Sequence, residues 1–306
     1  MRADRRRVGV ALALAAGLAI TACGGSGDRE AGRAARAGAP AAATGPAPAA
    51  ATATVSSRRR AVVWAVGDGA DGGAASKRVA ARIAALGVDR LLYLGDVYEQ
   101  GTAADFADHY APVFGRFARI TSPTPGNHEW PDRAAGYNAY WRARTGRTPR
   151  RWYALDVAGW RILSLNSEAP HGARSAQLRW LRAHVRGGGD CRIAISHRPR
   201  YSAGAVHGDA PDVQPFWDAL RGRASLVLNG HDHDLQRFAP RAGITEFVSG
   251  AGGHGHYPLR PHAGLVFGDA THYGALRLIL RRGRVAWAFV TDGGRRLDSG
   301  RLRCRP

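Results

Sequence analysis

The stretch AVVWAVGD, residues 61–68, is a run of six apolar residues that ends at Gly67-Asp68. A continuous apolar run of this length predicts a strand that is buried on both faces. The sequence LLYLGD, residues 91–96, repeats the arrangement and ends at a second Gly-Asp pair. Between the two, residues 77–86 space their apolar side chains as one face of a helix does. This order predicts a βαβ unit with an aspartate at the end of each strand.

The remainder of the chain contains fewer helices and more strands. Helical spacing recurs around 103–119, 175–186 and 216–220, and strand-like runs occur at 152–166, 191–196, 225–228, 275–280 and 285–291. No internal repeat is visible, and a stretch of this length can form one large core. We therefore predict one domain, residues 58–306, with an α/β fold in which two sheets form a sandwich flanked by helices.

Polar residues follow three further strand-like or turn segments. They are Gly126-Asn127-His128-Glu129, the single His197, and Gly230-His231-Asp232-His233. Because open α/β sheets bind ligands at the carboxyl ends of their strands, we expect these residues to meet Asp68 and Asp96. The side chains offer oxygen and imidazole nitrogen, which suits a pair of ions such as Fe, Zn or Mn.

A centre with two ions needs one carboxylate that bridges them and terminal ligands on each side. We assign the bridge to Asp96. The terminal ligands are Asp68 and His233 on the first ion, and Asn127, His197 and His231 on the second. His128 follows a ligand so closely in sequence that it is unsuited to bind metal itself. An imidazole in that position can instead donate a proton to a leaving group near neutral pH.

The two Gly-Asp strand ends, the Gly-Asn-His-Glu cluster and the Gly-His-Asp-His cluster together resemble the calcineurin-like metallophosphoesterase superfamily. Within it the chain is most similar to purple acid phosphatases and related exported bacterial phosphatases, over about residues 61–291. The resemblance implies a two-sheet α/β sandwich of metallophosphoesterase type and hydrolysis of phosphate monoesters. A metal-bound hydroxide attacks phosphorus, and His128 protonates the leaving oxygen. Two alternatives stay open: hydrolysis of phosphodiesters such as nucleotides, and a non-catalytic lipoprotein that binds phosphate or metal.

The first two motifs depart from the common pattern of the superfamily. Most members have Asp-x-His at the first motif, but Asp68-Gly69-Ala70 has no histidine. Purple acid phosphatases supply a tyrosine from Gly-Asp-x-x-Tyr instead, and here Tyr98 comes one residue early. Two interpretations of Tyr98 remain. Either it binds the first ion, which implies iron(III) with zinc or manganese beside it and a visible charge-transfer colour, or it packs in the core.

The resemblance also implies substrate-binding histidines after the ligand His197. His207 lies ten residues beyond it and is assigned to the phosphate or the leaving group, the alternative being a histidine on a surface loop. The same resemblance places the Gly-rich segment that contains His254 and His256 near the centre, without ligands. Arg198 follows His197 directly and could bind phosphate oxygens, but in so arginine-rich a chain we expect it at the surface.

The chain begins with a segment that resembles an export signal. An arginine-rich start precedes an apolar stretch, residues 8–20, and ITAC, residues 20–23, resembles a bacterial lipobox. We predict a lipoprotein signal peptide, residues 1–23, with acylation of Cys23; an ordinary secretory signal is the alternative. Residues 24–57 are rich in Ala, Gly and Pro and predict a flexible linker. The protein would then be exported and anchored to the outer face of a bacterial cell membrane.

Charge and cysteine content narrow the range of partners. The net charge is +20 and Lys77 is the only lysine, but the arginines are scattered and form no stripe interleaved with aromatics. We therefore expect no nucleic acid partner, and a monomer that acts on small phosphate esters and meets the membrane through its anchor. In an exported protein, Cys191 and Cys304 predict a disulfide, with two buried free thiols as the alternative.

Overall fold

The computed structural model describes residues 59–305, which belong to one compact unit, residues 51–306. The predicted signal peptide, the linker and Cys23 lie outside the described residues. No helix within residues 59–305 is long and apolar enough to cross a bilayer.

The strands and helices of this unit follow one another in the order that the βαβ start predicts, with strands dominating the second half. The strands are β1 Arg60–Val66, β2 Arg90–Tyr93, β3 Thr121–Pro123, β4 Tyr153–Val157, β5 Trp160–Ser164, β6 Arg192–Ile195, β7 Leu226–Asn229, β8 Leu235–Phe238, β9 Thr245–Ser249, β10 Leu265–Asp269, β11 Gly274–Arg281, β12 Arg284–Thr291 and β13 Arg296–Arg303. The helices are α1 Ala74–Ala85, α2 Ala103–Asp105, α3 Ala111–Phe114, α4 Ala139–Thr145, α5 Ala176–His184 and α6 Gln214–Leu220, with π-helical turns at Phe106–Tyr110 and Ala134–Asn138 and 3₁₀ turns at Gly115–Ile120 and Pro211–Val213.

The strands form two mixed sheets. The first has six strands in the order β13-β12-β11-β1-β2-β3, and the second has seven in the order β10-β8-β9-β7-β6-β5-β4. β1, β2 and β3 are parallel, as are β5, β6, β7 and β9. Since the carboxyl ends of parallel strands lie at one edge of a sheet, each sheet collects its strand-end residues at a single edge.

The alternation of side chains along β1 shows how the sheets are layered. Ala61, Val63 and Ala65 pack in the core between the two sheets, whereas Val62 and Trp64 pack outward against α1 and the helical segment 103–120. A third cluster lies on the outer side of the second sheet, beneath α5 and α6. The predicted α/β sandwich with two sheets and flanking helices is confirmed.

Sequence analysis missed five of the described strands and one of the described helices. β3, β8, β9, β10 and β13 are short or polar, and α4 follows a π-helical turn. β13 alternates exposed arginines with half-buried residues, which is a weak signal in a chain this rich in arginine. Only pairing with β12 makes it a strand.

A disulfide joins Cys191, just before β6, to Cys304, just after β13. The two Cα atoms are 5.0 Å apart. The bond links the amino end of a strand in one sheet to the last strand of the other. Beside it, the indole Nε1 of Trp160 donates to the carbonyl of Arg281 at 2.9 Å. This end of the sandwich is therefore closed by covalent and hydrogen bonds.

Candidate metal centre

The predicted ligands follow the carboxyl ends of strands from both sheets. Asp68 comes after β1, Asp96 after β2, Asn127 after β3, His197 after β6, and His231 with His233 after β7. All six side chains lie at the same end of the sandwich. The carboxylates and the three histidines among them are almost completely inaccessible to solvent.

The backbone at three of these positions is left-handed. Asp68, Asp96 and His231 have φ angles of 57°, 65° and 75°, a region that non-glycine residues rarely adopt. The glycines beside them leave room for the carboxylates: a Cβ on Gly126 would lie 2.0 Å from Asp96 Oδ1, and one on Gly230 would lie 2.4 Å from Asp68 Oδ2. Backbone strain of this kind concentrates at functional sites, because it aims side chains that a regular turn would not aim.

One group of donors surrounds Tyr98. Its Oη donates to Asp68 Oδ1 at 3.1 Å and lies 2.8 Å from His233 Nε2. His233 Nδ1 donates to the carbonyl of Gly255 at 2.7 Å, which leaves Nε2 directed toward Tyr98 and Asp68. Tyr98 is buried, but its hydroxyl points into the centre rather than into the apolar core. The structure thus places the phenol among the predicted ligands of the first ion.

A second group of donors surrounds His197. Its Nε2 lies 3.1 Å from Asn127 Oδ1 and 3.0 Å from His231 Nδ1. Its Nδ1 donates to the carbonyl of Leu94 at 2.9 Å, which fixes the orientation of the ring. Ligand atoms of His197, His231 and Asp96 all lie within 4.8 Å of one another. This is the predicted ligand set of the second ion.

Asp96 lies between the two groups. The same oxygen, Oδ2, is 3.5 Å from Tyr98 Oη and 3.3 Å from His197 Nε2. Its other oxygen, Oδ1, accepts the backbone N–H of His128 at 3.1 Å. Asp96 therefore contacts both groups of donors, and its assignment as a bridging carboxylate stays a prediction.

Electrostatics indicate that the centre is built for cations. Burial raises the pKa of Asp68 well above its usual value, and the nearby carboxylate of Asp96 adds to the rise. Burial by itself would lower the pKa of His197, but the carboxylates of Asp96, Asp68 and Glu168 together raise that pKa to about 10. A proton on His197 therefore supplies a positive charge beside the buried carboxylates. Metal ions would supply that charge directly.

The remaining imidazoles are in the state that metal ligation requires. Burial lowers the pKa of His233 to about 3, and burial with the nearby His197 and His207 lowers that of His231. Both rings are neutral at pH 7, as a metal ligand must be. Carboxylate, phenol, amide and neutral imidazole donors in two converging sets fit metal ions of borderline or hard character.

His128 lies over the centre at its solvent-facing side. Its Nδ1 donates to the carbonyl of Glu99, and its Nε2 lies 3.7 Å from Asp96 Oδ2. The side chain is 30% exposed, unlike the buried ligands. The free nitrogen therefore faces both the centre and solvent, where a substrate would enter.

His207 also reaches the centre. Its ring stacks on that of His231 with the ring centroids 4.0 Å apart, although the residue is exposed to solvent. The backbone N–H groups of His207 and Gly208 both point to the carboxylate of Asp232, at 3.4 and 3.2 Å. The loop that carries His207 is thus held against the motif that carries two ligands, and is not a loop remote from the centre.

Comparison with known proteins identifies the family. The family model described as calcineurin-like phosphoesterase matches residues 58–235, which include all the predicted ligands. The chain belongs to the calcineurin-like phosphoesterase family. The family is one of phosphoesterases, and Asp96, His197 and His231 of this chain form a group that could hold a metal ion. No curated protein matches the chain by sequence comparison.

Solved structures share the fold of this calcineurin-like phosphoesterase at low sequence identity. A purple acid phosphatase from yellow lupin (Lupinus luteus) seeds has 17% identity and a TM-score of 0.66 over 80% of this chain and 54% of that one. GAP50, the anchor in the inner membrane complex of Plasmodium, has 14% identity and a TM-score of 0.67 over 81% and 90%. A dimetal phosphatase from Danio rerio has 13% identity and a TM-score of 0.54 over 79% and 98%. The chain spans about half the length of the lupin enzyme.

Glu129 has a role in the phosphoesterase centre that sequence reasoning missed. The side chain is buried, and its Oε2 accepts the backbone N–H of Asp96 at 3.1 Å and that of Gly126 at 2.9 Å. It therefore ties the second motif to the third. Its place at the end of Gly126-Asn127-His128-Glu129 was the only sequence signal.

Arg198 is not the surface arginine that the composition led us to expect. Its guanidinium is held by Glu168, with Nε 2.9 Å from Oε1 and Nη2 3.1 Å from Oε2. Its Nη1 lies 3.2 Å from His231 Nε2. Glu168 lies far from His197 in sequence, so no local pattern could have shown this pair.

His254 lies at the edge of the centre without being a ligand. Its ring stacks on Tyr98 with the centroids 3.9 Å apart, and its Nδ1 is 3.7 Å from Asp71 Oδ2. His256 Nδ1 reaches the carbonyl of His233 at 3.2 Å. The Gly-rich segment thus packs against the centre and supports the ring of Tyr98.

Proposed function

We propose that the protein hydrolyses phosphate monoesters at a dinuclear metal centre of the purple acid phosphatase type. The position of Asp96 carries the proposal. Its Oδ2 lies within 3.5 Å of Tyr98 on one side and 3.3 Å of His197 on the other, so that one oxygen faces two separate sets of donors. A single ion would need only one of these sets.

The residues divide between two ions. We assign Asp68, Tyr98 and His233 to the first and Asn127, His197 and His231 to the second, with Asp96 shared. When bound, the ions supply a nucleophile from water at neutral pH and neutralise charge on the phosphoryl group.

Tyr98 supports iron(III) as the first ion. Burial and the carboxylates of Asp68 and Asp96 raise the pKa of its phenol well above the usual value. A phenol in that environment loses its proton only to a strongly charged cation, which favours a trivalent ion over a divalent one. Tyr98 would then replace the histidine that is missing at Ala70. Zinc or manganese suits the imidazole and amide donors of the second ion.

His128 is proposed as the proton donor to the leaving oxygen. Because Nδ1 is occupied by the carbonyl of Glu99, only Nε2 can exchange a proton with a bound ester. Its partial exposure on the solvent side of Asp96 fits contact with the part of the substrate that departs.

Arg198 and His207 are proposed to bind the phosphoryl oxygens. Once His231 Nδ1 holds an ion, its Nε2 carries a proton, and the contact with Arg198 Nη1 at 3.2 Å becomes one between two donors. A phosphoryl oxygen is an acceptor that satisfies both. The carboxylate of Glu168 holds the guanidinium in place for this contact.

We propose that the protein acts outside the cell, as a lipoprotein anchored through Cys23. The lipobox-like residues 20–23 support this location. The disulfide between Cys191 and Cys304 also supports it, since such bonds persist in oxidising compartments.

The test compares p-nitrophenyl phosphate with bis-p-nitrophenyl phosphate after loading the purified protein with iron and zinc, or with manganese. We expect faster hydrolysis of the monoester, two ions per chain, and loss of both on chelation. The iron-loaded protein should absorb visible light, and Tyr98→Phe should remove that band. Faster hydrolysis of the diester would make this a phosphodiesterase. Two bound ions without hydrolysis of either ester would favour the non-catalytic phosphate- or metal-binding alternative.

A further inference from the structure

An open cavity of about 580 Å³ lies on the outer face of the first sheet, remote from the metal centre. Its rim carries five arginines, and its floor is apolar and includes Ile279 and Ala286. We call these five residues the basic pole: Arg60, Arg281, Arg284, Arg301 and Arg303. No acidic side chain and no aromatic ring lines the cavity.

The register of the sheet explains how arginines that are scattered in sequence come together. Arg60 is opposite Arg281, Arg281 is opposite Arg284, and Arg284 is opposite Arg303. Four strands thus place an arginine at the same level, on the same face. Arg301 is two residues before Arg303 and therefore shares that face.

These arginines have no partner among residues 59–305. All five side chains are exposed, and none of them donates a hydrogen bond or forms an ion pair within the described part of the chain. Like charges directly opposite each other on neighbouring strands destabilise a sheet. Arg277 lies on the same face. Burial lowers the pKa of its guanidinium, and the nearby Arg60 and Arg296 lower it further. An anionic ligand would remove the cost of gathering these charges.

The basic pole and the metal centre lie at opposite ends of β1. The strand runs from Arg60 to Val66, and Asp68 follows its far end. Seven residues of strand separate the two by about 20 Å. The described part of the chain also begins here, at Arg59 and Arg60.

We propose that the basic pole docks on an anionic phospholipid surface and turns the metal centre away from it. The arginines pair with headgroup phosphates, and the apolar floor faces the glycerol region. The point of chain entry favours a membrane over other anionic partners, since the predicted lipid anchor at Cys23 would hold this end nearest the bilayer. The inference does not depend on which ester the centre hydrolyses.

The experiment uses the full chain with Cys23→Ser, so that acylation does not obscure weak binding. One variant replaces Arg281, Arg284, Arg301 and Arg303 by Gln. A matched control replaces Arg147, Arg150, Arg151 and Arg174, which are equally exposed but lie elsewhere and donate no side-chain hydrogen bond to a described residue. Binding is measured to vesicles of phosphatidylcholine, with and without 30% phosphatidylglycerol. Melting temperatures establish that both variants are folded.

We expect binding only to the vesicles that contain phosphatidylglycerol, and a decrease of at least roughly 20-fold in the basic-pole variant. The control should bind within about two-fold of the parent, and 0.5 M NaCl should weaken binding of both. Equal binding of the two variants would overturn the proposal, because overall charge would then account for retention.

Hydrogen exchange locates the contact independently of residues 1–57. With phosphatidylglycerol vesicles, we expect slower exchange at residues 281–284 and 301–305, and no change at 127–129. Protection elsewhere would overturn the proposal. Three further results would also overturn the proposal, because each would identify a different occupant of the basic pole. They are displacement from vesicles by 20 mM inorganic phosphate at constant ionic strength, tighter binding to duplex DNA than to vesicles, and a dimer that the basic-pole variant loses.

Discussion

The two ends of β1 differ in the burial and the hydrogen bonding of their charged side chains. At the metal centre, Asp68 and Asp96 are buried and each accepts hydrogen bonds from several motifs. At the basic pole, the arginines are exposed and bond to no described residue. Burial at the metal centre costs solvation free energy of the carboxylates, but it fixes their geometry to within fractions of an ångström, which a small ester requires. The basic pole keeps its charges mobile and hydrated, which suits a surface without fixed geometry. Predictions that separate the two ends follow, in order of decreasing effect.

Asp96→Asn should have the largest effect. The amide keeps the shape of the side chain but removes the charge that both donor sets share, so at least one ion should be lost. We expect kcat to fall at least about 1,000-fold and metal content to drop, measured by hydrolysis and by elemental analysis. Asp218→Asn, on the exposed surface of α6, is the control. Full metal content with normal turnover would contradict the bridging position.

His128→Ala should lower kcat about 100-fold while both ions remain bound. The effect should shrink with p-nitrophenyl phosphate, whose leaving group needs little protonation, and grow with an alkyl phosphate. His272→Ala serves as the control, because that ring contacts only its own turn. An equal loss with both esters would remove the role as proton donor.

Replacement of both Cys191 and Cys304 by Ser should lower the free energy of unfolding by roughly 2–4 kcal/mol. The bond closes a loop with a sequence separation of 113 residues, so its loss releases much chain entropy on unfolding. Thermal and denaturant unfolding would measure the change. Activity at 25 °C should be unaltered, because the bond lies at the end of the sandwich opposite the metal centre. A simultaneous loss of metal would show that the two ends are coupled.

Arg198→Gln should raise KM about ten-fold and weaken inhibition by inorganic phosphate equally, with kcat within about three-fold of the parent. Glu168→Gln should also raise KM and weaken inhibition by inorganic phosphate, but by less, since the guanidinium is present but less well held. Arg200→Gln is the matched control, because that side chain bonds to Gln214 and contacts no predicted ligand. A change in kcat alone would argue against binding of the ground-state phosphate.

The double variant Arg281→Gln with Arg284→Gln should have the smallest effect, and it should stabilise the protein rather than impair it. Removing two directly opposed charges should stabilise the free protein by about 0.5 kcal/mol at low salt. Denaturant unfolding at two salt concentrations measures it, and the gain should vanish in 0.5 M NaCl. Destabilisation would mean that these arginines contribute to the fold rather than oppose it.

Much of the fold was readable because its signals are local. The apolar run at residues 61–66 and the Gly-Asp pair after it predicted β1 and a buried aspartate at its end, and the structure places both as expected. Signals failed where pairing or distant contacts decide the outcome. β13 is a strand because β12 pairs with it, and Arg198 is drawn to the centre by Glu168, thirty residues earlier.

The role of Tyr98 could be narrowed by local sequence but depends on tertiary contacts. Its spacing from Asp96 left ligation and core packing equally open. The contacts of its hydroxyl with Asp68 and His233 place it in the centre, while its ring is buried against His254. A buried tyrosine can pack its ring and direct its polar tip elsewhere, so ligation of a metal ion by Tyr98 stays a prediction.

The sequence by itself determined the class of fold and the family, and it predicted which polar residues meet at the strand ends, because strand periodicity and ligand motifs are properties of short segments. Only the tertiary structure decided which donors share Asp96, where Tyr98 and Arg198 point, and that arginines far apart in the chain form one cluster. Those outcomes depend on strand register and on the convergence of two sheets. Each depends on residues tens or hundreds of positions apart, whose proximity is created by burial of the core between the sheets.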